Sequence, residues 1–259
     1  MTTVTKLTGI TLPGTGYPDI NSFKEIYMSV TSGLIGLYSI RDTLAFSLTN
    51  YASGGSPMTI VGAPTMSGDG AICNYANCFD TGIATQTAYS FLALAKPTLS
   101  TDATQNCMIV SSYFQPSAGQ NAGDSIGFAA NGTTNPRFRN YSQNSTSSVI
   151  FADAGVTGFS ESSVAFFAGV TSLTDGVRLA FGHGGSLSIG TPTTLSARNT
   201  TGAGTILVGG HRGPSTFFPA FGKGIYAIAI YNRAITNAEI TQGYADLSSY
   251  AVDRGITTV

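Results

Sequence analysis

Three glutamates, two histidines and three cysteines are the scarce reactive side chains of this 259-residue sequence, and their spacing argues against most chemistry they could perform. Glycoside hydrolysis needs two carboxylates flanking the scissile bond, one as acid and one as nucleophile or base. Glu25, Glu161 and Glu239 stand far apart, and only Asp153 lies near one of them, across a turn from Glu161. His183 and His211 sit in the Gly-rich stretches GHGGS and GGHRGPS, with no G-x-S-x-G elbow to present a nucleophile. Each is expected to hydrogen-bond its own loop. Cys73 and Cys78 form a lone C-x4-C pair and Cys107 makes the count odd, which is poor zinc spacing. Free, buried thiols are the expectation.

One loop carries a binding signal. In HRGPSTFFPAFGK, residues 211–223, three phenylalanines follow an arginine, and exposed aromatics beside Arg are typical of contact hot spots. His211, Arg212, Phe217 and Phe218 are therefore the candidate contact residues. The competing expectation is that the phenylalanines pack under the loop, since neighbours on a strand must point to opposite faces.

Composition narrows the partners. Charged residues make up only 10% of the chain, the net charge is -1, and 32 glycines with many Ser, Thr and Asn take the place of charge on the surface. Such a surface has little self-repulsion and favours permanent assembly. The 12 Lys and Arg form no basic run, so nucleic-acid binding is not expected. The longest apolar stretch, Ile225 to Tyr231, is too short for a membrane helix, so no membrane insertion is expected. The opening residues MTTVTKLTGITLPGTG hold one Lys and no apolar run, unlike a secretory signal peptide. Synthesis in a bacterial host cytoplasm is expected.

Two regions read differently. Residues 1–32 form an N-terminal arm of Thr, Gly and Pro that ends in NSFKEIYMSV, a stretch able to form one short helix. Tyr17, Ile20, Phe23, Ile26 and Tyr27 are apolar side chains that an isolated tail would not expose, so the arm is expected to order against neighbouring subunits. Residues 33–259 carry eleven apolar or β-branched runs between turn clusters: LIGLYSI, MTIVG, YSFLALAK, CMIVSSYF, SIGFAA, SVIFA, SVAFFAGV, GVRLAFG, SLSIG, TILVGG and GIYAIAIY. This is the pattern of an all-β protein, a two-layered antiparallel β-sandwich. Asn131-Gly132 and Asp175-Gly176 are placed as two-residue type I′ hairpin turns. Thr236-Asn237-Ala238-Glu239 is a capping box, and Ile240, Tyr244 and Leu247 follow at helical spacing, predicting one short C-terminal helix.

The segment GKGIYAIAIYNRAITNAEITQGYADL, residues 222–247, resembles the closing strand and helix of laminin-G-like, concanavalin A-like jelly-roll domains. Tyr231-Asn232-Arg233-Ala234 and Ala238-Glu239-Ile240 carry that resemblance, and CFDTGI before YSFLALAKP falls in the same order. The resemblance implies a jelly-roll sandwich over roughly residues 33–250. The chain has no Trp, and Phe or Tyr fill the family's Trp positions. Relatives of this kind often bind calcium at one rim. Asp69, Asp80 and Asp124 lie in or near turns here, but no D-x-D-x-D cluster accompanies them, so no metal ligand is assigned and no cofactor is expected.

These features lead to the expectation of a non-enzymatic structural or attachment component of a bacteriophage virion, in the tail tip, fibre, collar or capsid surface. Its expected partners are other copies of itself, other virion proteins and host-surface glycans. A free carbohydrate-binding, lectin-like module is the alternative, and a glycoside hydrolase is disfavoured by the missing carboxylate pair.

Overall fold

The computed structural model describes residues 26–68, 70–96, 106–131, 135–155, 163–216, 218–219 and 224–256. Within them the chain builds an all-β sandwich from two antiparallel sheets, with a helix at its C-terminal end. One sheet holds β1 (Leu34–Ser39), β3 (Thr65–Ser67), β4 (Gly70–Ile72), β6 (Tyr89–Lys96), β11 (Ala165–Ser172), β12 (Gly176–His183), β13 (Ser186–Ile189) and β15 (Gly224–Tyr231). The other holds β2 (Thr59–Val61), β5 (Cys78–Ala84), β7 (Cys107–Ser111), β8 (Asp124–Asn131), β9 (Asn135–Gln143), β10 (Val149–Gly155) and β14 (Thr205–Val208). We call them the helix-side sheet and the open sheet. A four-residue helix, α1 (Leu44–Ser47), and the long α2 (Asn237–Asp253) complete the fold.

Strand order explains the burial. The helix-side sheet runs β13-β12-β11-β6-β15-β4-β3, with β1 also paired to β15, while the open sheet runs β10-β9-β8-β7-β14-β5-β2. Side chains alternate between faces along each strand. Phe91, Ala93, Phe167, Ile228 and Ile230 therefore meet Ile109, Ile126, Phe128, Phe138 and Val208 of the opposite sheet in the central core. Phe128, Phe138 and Phe167 form its aromatic centre, with Phe128 and Phe167 edge to face at 4.9 Å between ring centroids. Leu92, Leu94, Phe166, Ala168, Ala227, Ala229 and Tyr231 face the other way and meet Ile240, Leu247, Tyr250 and Ala251 of α2 in a second core. With both faces covered, β11 is buried at every position.

The helix starts where the sequence places it. Thr236 caps it, its hydroxyl accepting from the Glu239 amide, while the Glu239 carboxylate accepts from the Thr236 amide at 2.8 Å. Ile240 and Leu247 are fully buried and Tyr244 is half-buried. The C-terminal helix expected from the sequence is α2, of 17 residues. All eleven expected runs contain strands.

Three expectations are corrected. The Asp175-Gly176 turn is longer than two residues, because residues 173–175 separate the paired Ser172 and Gly176. The Ser172 hydroxyl holds that loop by donating to Asp175 Oδ2 at 2.8 Å. A two-residue turn of that kind is Gly184-Gly185, between His183 and Ser186, with both glycines at positive φ (59° and 78°) as type I′ geometry demands. The loop holding Asn131-Gly132 joins the paired β8 and β9, but residues 132–134 lie outside the described residues. In NSFKEIYMSV, residues 26–30 are not helical, and the remainder lies outside the described residues.

The third correction concerns the arm. Ile26 and Met28 are 4% and 1% exposed and belong to the core beneath α2 of their own domain. Ser29 secures them by donating from its amide and hydroxyl to Asp246, at 2.6 and 2.9 Å. Ile26 therefore needs no neighbouring subunit, since its own helix covers it. Tyr27 points outward at 62% exposure, and Tyr17, Ile20 and Phe23 lie outside the described residues.

Candidate ligand-binding site

The open sheet has one face in the core and one face that the described residues leave uncovered, and the difference is written along β9. Phe138, Asn140 and Ser142 are buried inward, whereas Arg137, Arg139 and Tyr141 are half-buried on the outer face. Register aligns Ser111, Ser125, Tyr141 and Phe151 in one cross-strand row. At this place a cavity of about 280 Å³ opens. Met108, Ser125, Tyr141, Gln143 and Val149 contribute its strand side, and Tyr113, Asn121, Ser147 and Phe218 arrive from connecting segments.

Each wall is braced from behind. Phe218 sits at φ 46°, the left-handed region that a bulky residue rarely enters, and such strain clusters at ligand clamps. Its ring meets Tyr141 edge to face at 5.6 Å and His211 at 6.3 Å. His211 Nδ1 accepts from the Gly213 amide at 2.9 Å, which fixes the imidazole, and the Tyr113 ring lies 6.0 Å away. A side chain at position 213 would place Cβ 2.3 Å from that Tyr113 ring, so the close turn requires glycine. Tyr113 donates its hydroxyl to Asn121 Oδ1 at 2.7 Å, and Gln115 Nε2 donates to the same oxygen at 2.6 Å. Burial pushes the Tyr113 phenol up to about 12, so it remains a donor across the physiological range.

Tyr141 is held from the opposite side. Burial raises its phenol, while a hydrogen bond from Arg139 works against that rise. The Arg139 guanidinium stacks over Phe151 at 4.6 Å and pairs with Asp153 at 3.6 Å, and Arg137 reaches the same carboxylate at 2.7 Å. The lining itself offers hydroxyls, amides, a thioether and aromatic faces. These groups bind by stacking and hydrogen bonding, and two flanking carboxylates are not among them.

Of the candidate contact residues, Phe218 lines the cavity and His211 stands behind it, 3% exposed. Arg212 is drawn elsewhere: its guanidinium donates to Asp80 Oδ2 at 2.7 Å and to Thr205 Oγ1 at 2.5 Å. Arg212 is thus a strut between β5 and β14 and is withdrawn as a contact residue. Phe217 lies outside the described residues. Sequence reasoning missed Met108, Tyr113, Asn121, Ser125, Tyr141, Gln143, Ser147 and Val149. The only signal for any of them was the alternation in NPRFRNYSQ, where polar and aromatic residues fall on one face.

The remaining reactive groups have structural roles. Asp124 is fully buried against Arg198, and Asp80 faces Arg212, so both carboxylates near turns are matched by guanidinium groups. Asp69, Glu25 and Glu161 lie outside the described residues. Cys73, Cys78 and Cys107 are buried thiols outside any disulfide, and burial raises the Cys78 thiol to about 11. Among the described residues no three His, Cys, Asp or Glu side chains gather as a metal site, and no helix is long and apolar enough to cross a membrane.

No family model matches the sequence, and no curated protein sequence matches it. Solved structures match by shape. Domain 4 of an extracellular arabinanase from Geobacillus stearothermophilus, in complex with arabinotriose, aligns with a TM-score of 0.55 at 16% identity, covering 83% of this chain and 99% of that domain. The binding domain of botulinum neurotoxin DC, in complex with SialylT, aligns at 0.55 and 12% identity over 85% of this chain and 52% of its own length. A sialidase from Trypanosoma rangeli, in complex with sialic acid, aligns at 0.55 and 12% identity, with only 33% of that enzyme covered. These likenesses establish the fold alone, a two-sheet jelly-roll-like sandwich.

Proposed function

We propose that this protein is a non-enzymatic attachment component of a bacteriophage virion that recognises a glycan on the host surface. The observation that carries the glycan reading is the open-sheet cavity, where Tyr141 and the strained Phe218 are set edge to face beside hydroxyl and amide groups. Sugars present an apolar face and a rim of hydroxyls, and this lining matches both. Among the structural neighbours, the arabinanase domain holds arabinotriose, and cell entry of botulinum neurotoxin type C depends on interaction with two ganglioside molecules. The virion setting rests on the low-charge surface and the apolar side chains of residues 1–25.

A free lectin-like module is the second reading, favoured by the arabinanase domain that matches this chain over nearly its whole length. Two measurements separate them. On a glycan array the wild type should bind and Tyr141→Ala should not. Solution mass should then show a trimer, ring or higher multimer for the virion reading, whereas a strict monomer would favour the free module. Absence of binding to any glycan would overturn both.

A further inference from the structure

We infer that the open-sheet cavity selects a neutral sugar carrying a methyl group, as a 6-deoxy carbon or an N-acetyl group, and rejects acidic sugars. This inference rests on reading the cavity as a glycan site. Its first support is size. At about 280 Å³ the space falls at the lower edge of the roughly 300–1,000 Å³ typical of small-molecule sites, which suits one sugar ring with a short substituent.

The second support is charge. Among the described residues that line the cavity there is no Lys, Arg or His and no carboxylate. The cations on the outer face of β9 are already neutralised: Arg137 and Arg139 share Asp153, at 2.7 and 3.6 Å, and Arg139 is also stacked on Phe151. A sialic or uronic acid carboxylate entering here would lose water and gain no guanidinium partner, an uncompensated desolvation. Recruiting Arg139 would break its pair with Asp153 and its stacking on Phe151.

The third support is the apolar strip. Met108, a buried thioether on β7, and Val149, 40% exposed at the start of β10, flank Tyr141 and Phe218. A hydroxyl pointing at this strip would lose water and gain no partner from Met108 or Val149, whereas a methyl substituent at the same position would be buried against it. Thioethers adapt well to such groups. The polar remainder of the sugar has Ser125, Asn121 and Gln143 within the same lining.

The test uses the full chain and saturation-transfer NMR with titration against six free sugars: rhamnose and fucose, N-acetylglucosamine, galactose, N-acetylneuraminic acid and glucuronic acid. The expected result is that rhamnose and fucose, or N-acetylglucosamine, bind with the strongest transfer at the methyl protons, and that galactose binds roughly tenfold more weakly. Which of the two groups binds identifies the source of the methyl. Val149→Thr replaces an exposed methyl by a hydroxyl without changing shape, and it should reduce the methyl preference about fivefold while leaving the fold intact by circular dichroism. Galactose binding equal to the methylated sugars, or tight binding of either acidic sugar, overturns the inference but leaves the glycan reading standing. A Val149→Thr protein with unchanged preference also overturns it. No binding of any sugar overturns both.

Discussion

The two sheets of this sandwich differ in what covers their outer faces. On the helix-side sheet, α2 and residues 26–30 lie over the strands, and β6 and β11 are buried on both sides. On the open sheet, β9 alternates buried and half-buried residues, and its outer face carries the cavity, a cation stacked on an aromatic ring and a strained phenylalanine. Covered strands are constrained by packing at every position. The open face has half of its positions free of that constraint, and those positions carry side chains that packing does not explain.

The comparison can be broken at the inner face of the open sheet, where the largest effect is expected. Asp124, 0% exposed, receives Arg198 Nε and Nη2, with the shortest contact 2.5 Å, and Arg198 Nη1 donates to the Gln86 carbonyl at 2.5 Å. Burial pushes the Asp124 carboxyl up and the guanidinium opposes that shift. Asp124→Ala leaves a buried arginine without its counter-charge, and urea unfolding should show a loss of about 3–5 kcal/mol. The double variant Asp124→Ala, Arg198→Met should recover most of it. A loss below about 1 kcal/mol in the single variant would mean that water reaches the pair, and that the inner face is as tolerant as the outer.

A second variant probes the covered face. Gly243 of α2 lies so close to β6 that an added Cβ would sit 2.3 Å from Leu92 Cδ2. Gly243→Leu should therefore destabilise by about 1–3 kcal/mol through overpacking, even though leucine favours helix. The same side chain at the exposed Ser147 beside the cavity should change stability by no more than about 0.5 kcal/mol. Equal effects at the two positions would remove the distinction between the sheets.

The same division decides what the sequence could reveal. Strands of the helix-side sheet read as continuous apolar runs, so YSFLALAK, SVAFFAGV and GIYAIAIY were legible without a partner in view. The capping box at Thr236 and Glu239 was legible because both members lie within one turn. The strand NPRFRNYSQ was not, because its outward Arg137, Arg139 and Tyr141 and its inward Asn140 and Ser142 dilute the apolar signal to Phe138 and Pro136. Asn140 turns inward because its amide donates to the Val170 and Arg178 carbonyls of the facing sheet, at 3.0 and 2.9 Å. The cavity was less legible still. Met108, Ser125, Tyr141 and Val149 are brought together only by strand register, and no local pattern records which β7 and β10 residues will stand beside Tyr141. Phe218 was accessible from sequence because it belongs to one Gly- and Phe-rich loop. Arg212, a hot-spot residue by composition, is claimed instead by a carboxylate 132 positions away.

A smaller effect is expected at the helix start. Arg233 donates to both Glu239 oxygens, at 3.0 and 2.6 Å, and with the Thr236 amide and hydroxyl it holds the Glu239 carboxyl at about 2, below the usual 4.5. A depressed carboxyl stabilises the fold above its ordinary value, and that contribution fades as the pH falls from about 4.5 through about 2. Glu239→Ala should lower stability by about 0.5–2 kcal/mol at pH 7. Thermal melts of wild type and variant should converge as the pH approaches 2, and a gap that stays constant with pH would assign the role to packing alone.

The smallest effect on stability, and the sharpest on function, is expected from Phe218→Gly. Glycine accepts φ 46° without strain, so the backbone penalty of about 1–3 kcal/mol at this position disappears. Against that gain stand the lost ring contacts with Tyr141 and His211 and the greater freedom of glycine in the unfolded chain. The opposing terms are of similar size, and the melting midpoint should move by only a few degrees. Sugar binding should respond differently, because the edge-to-face wall opposite Tyr141 is gone and the cavity opens on that side. Loss of binding with stability retained would show that the strain at Phe218 is maintained for the ligand. If binding survives while the protein is destabilised by more than about 2 kcal/mol, Phe218 is a packing residue and the open face is less distinct from the covered one than its geometry indicates.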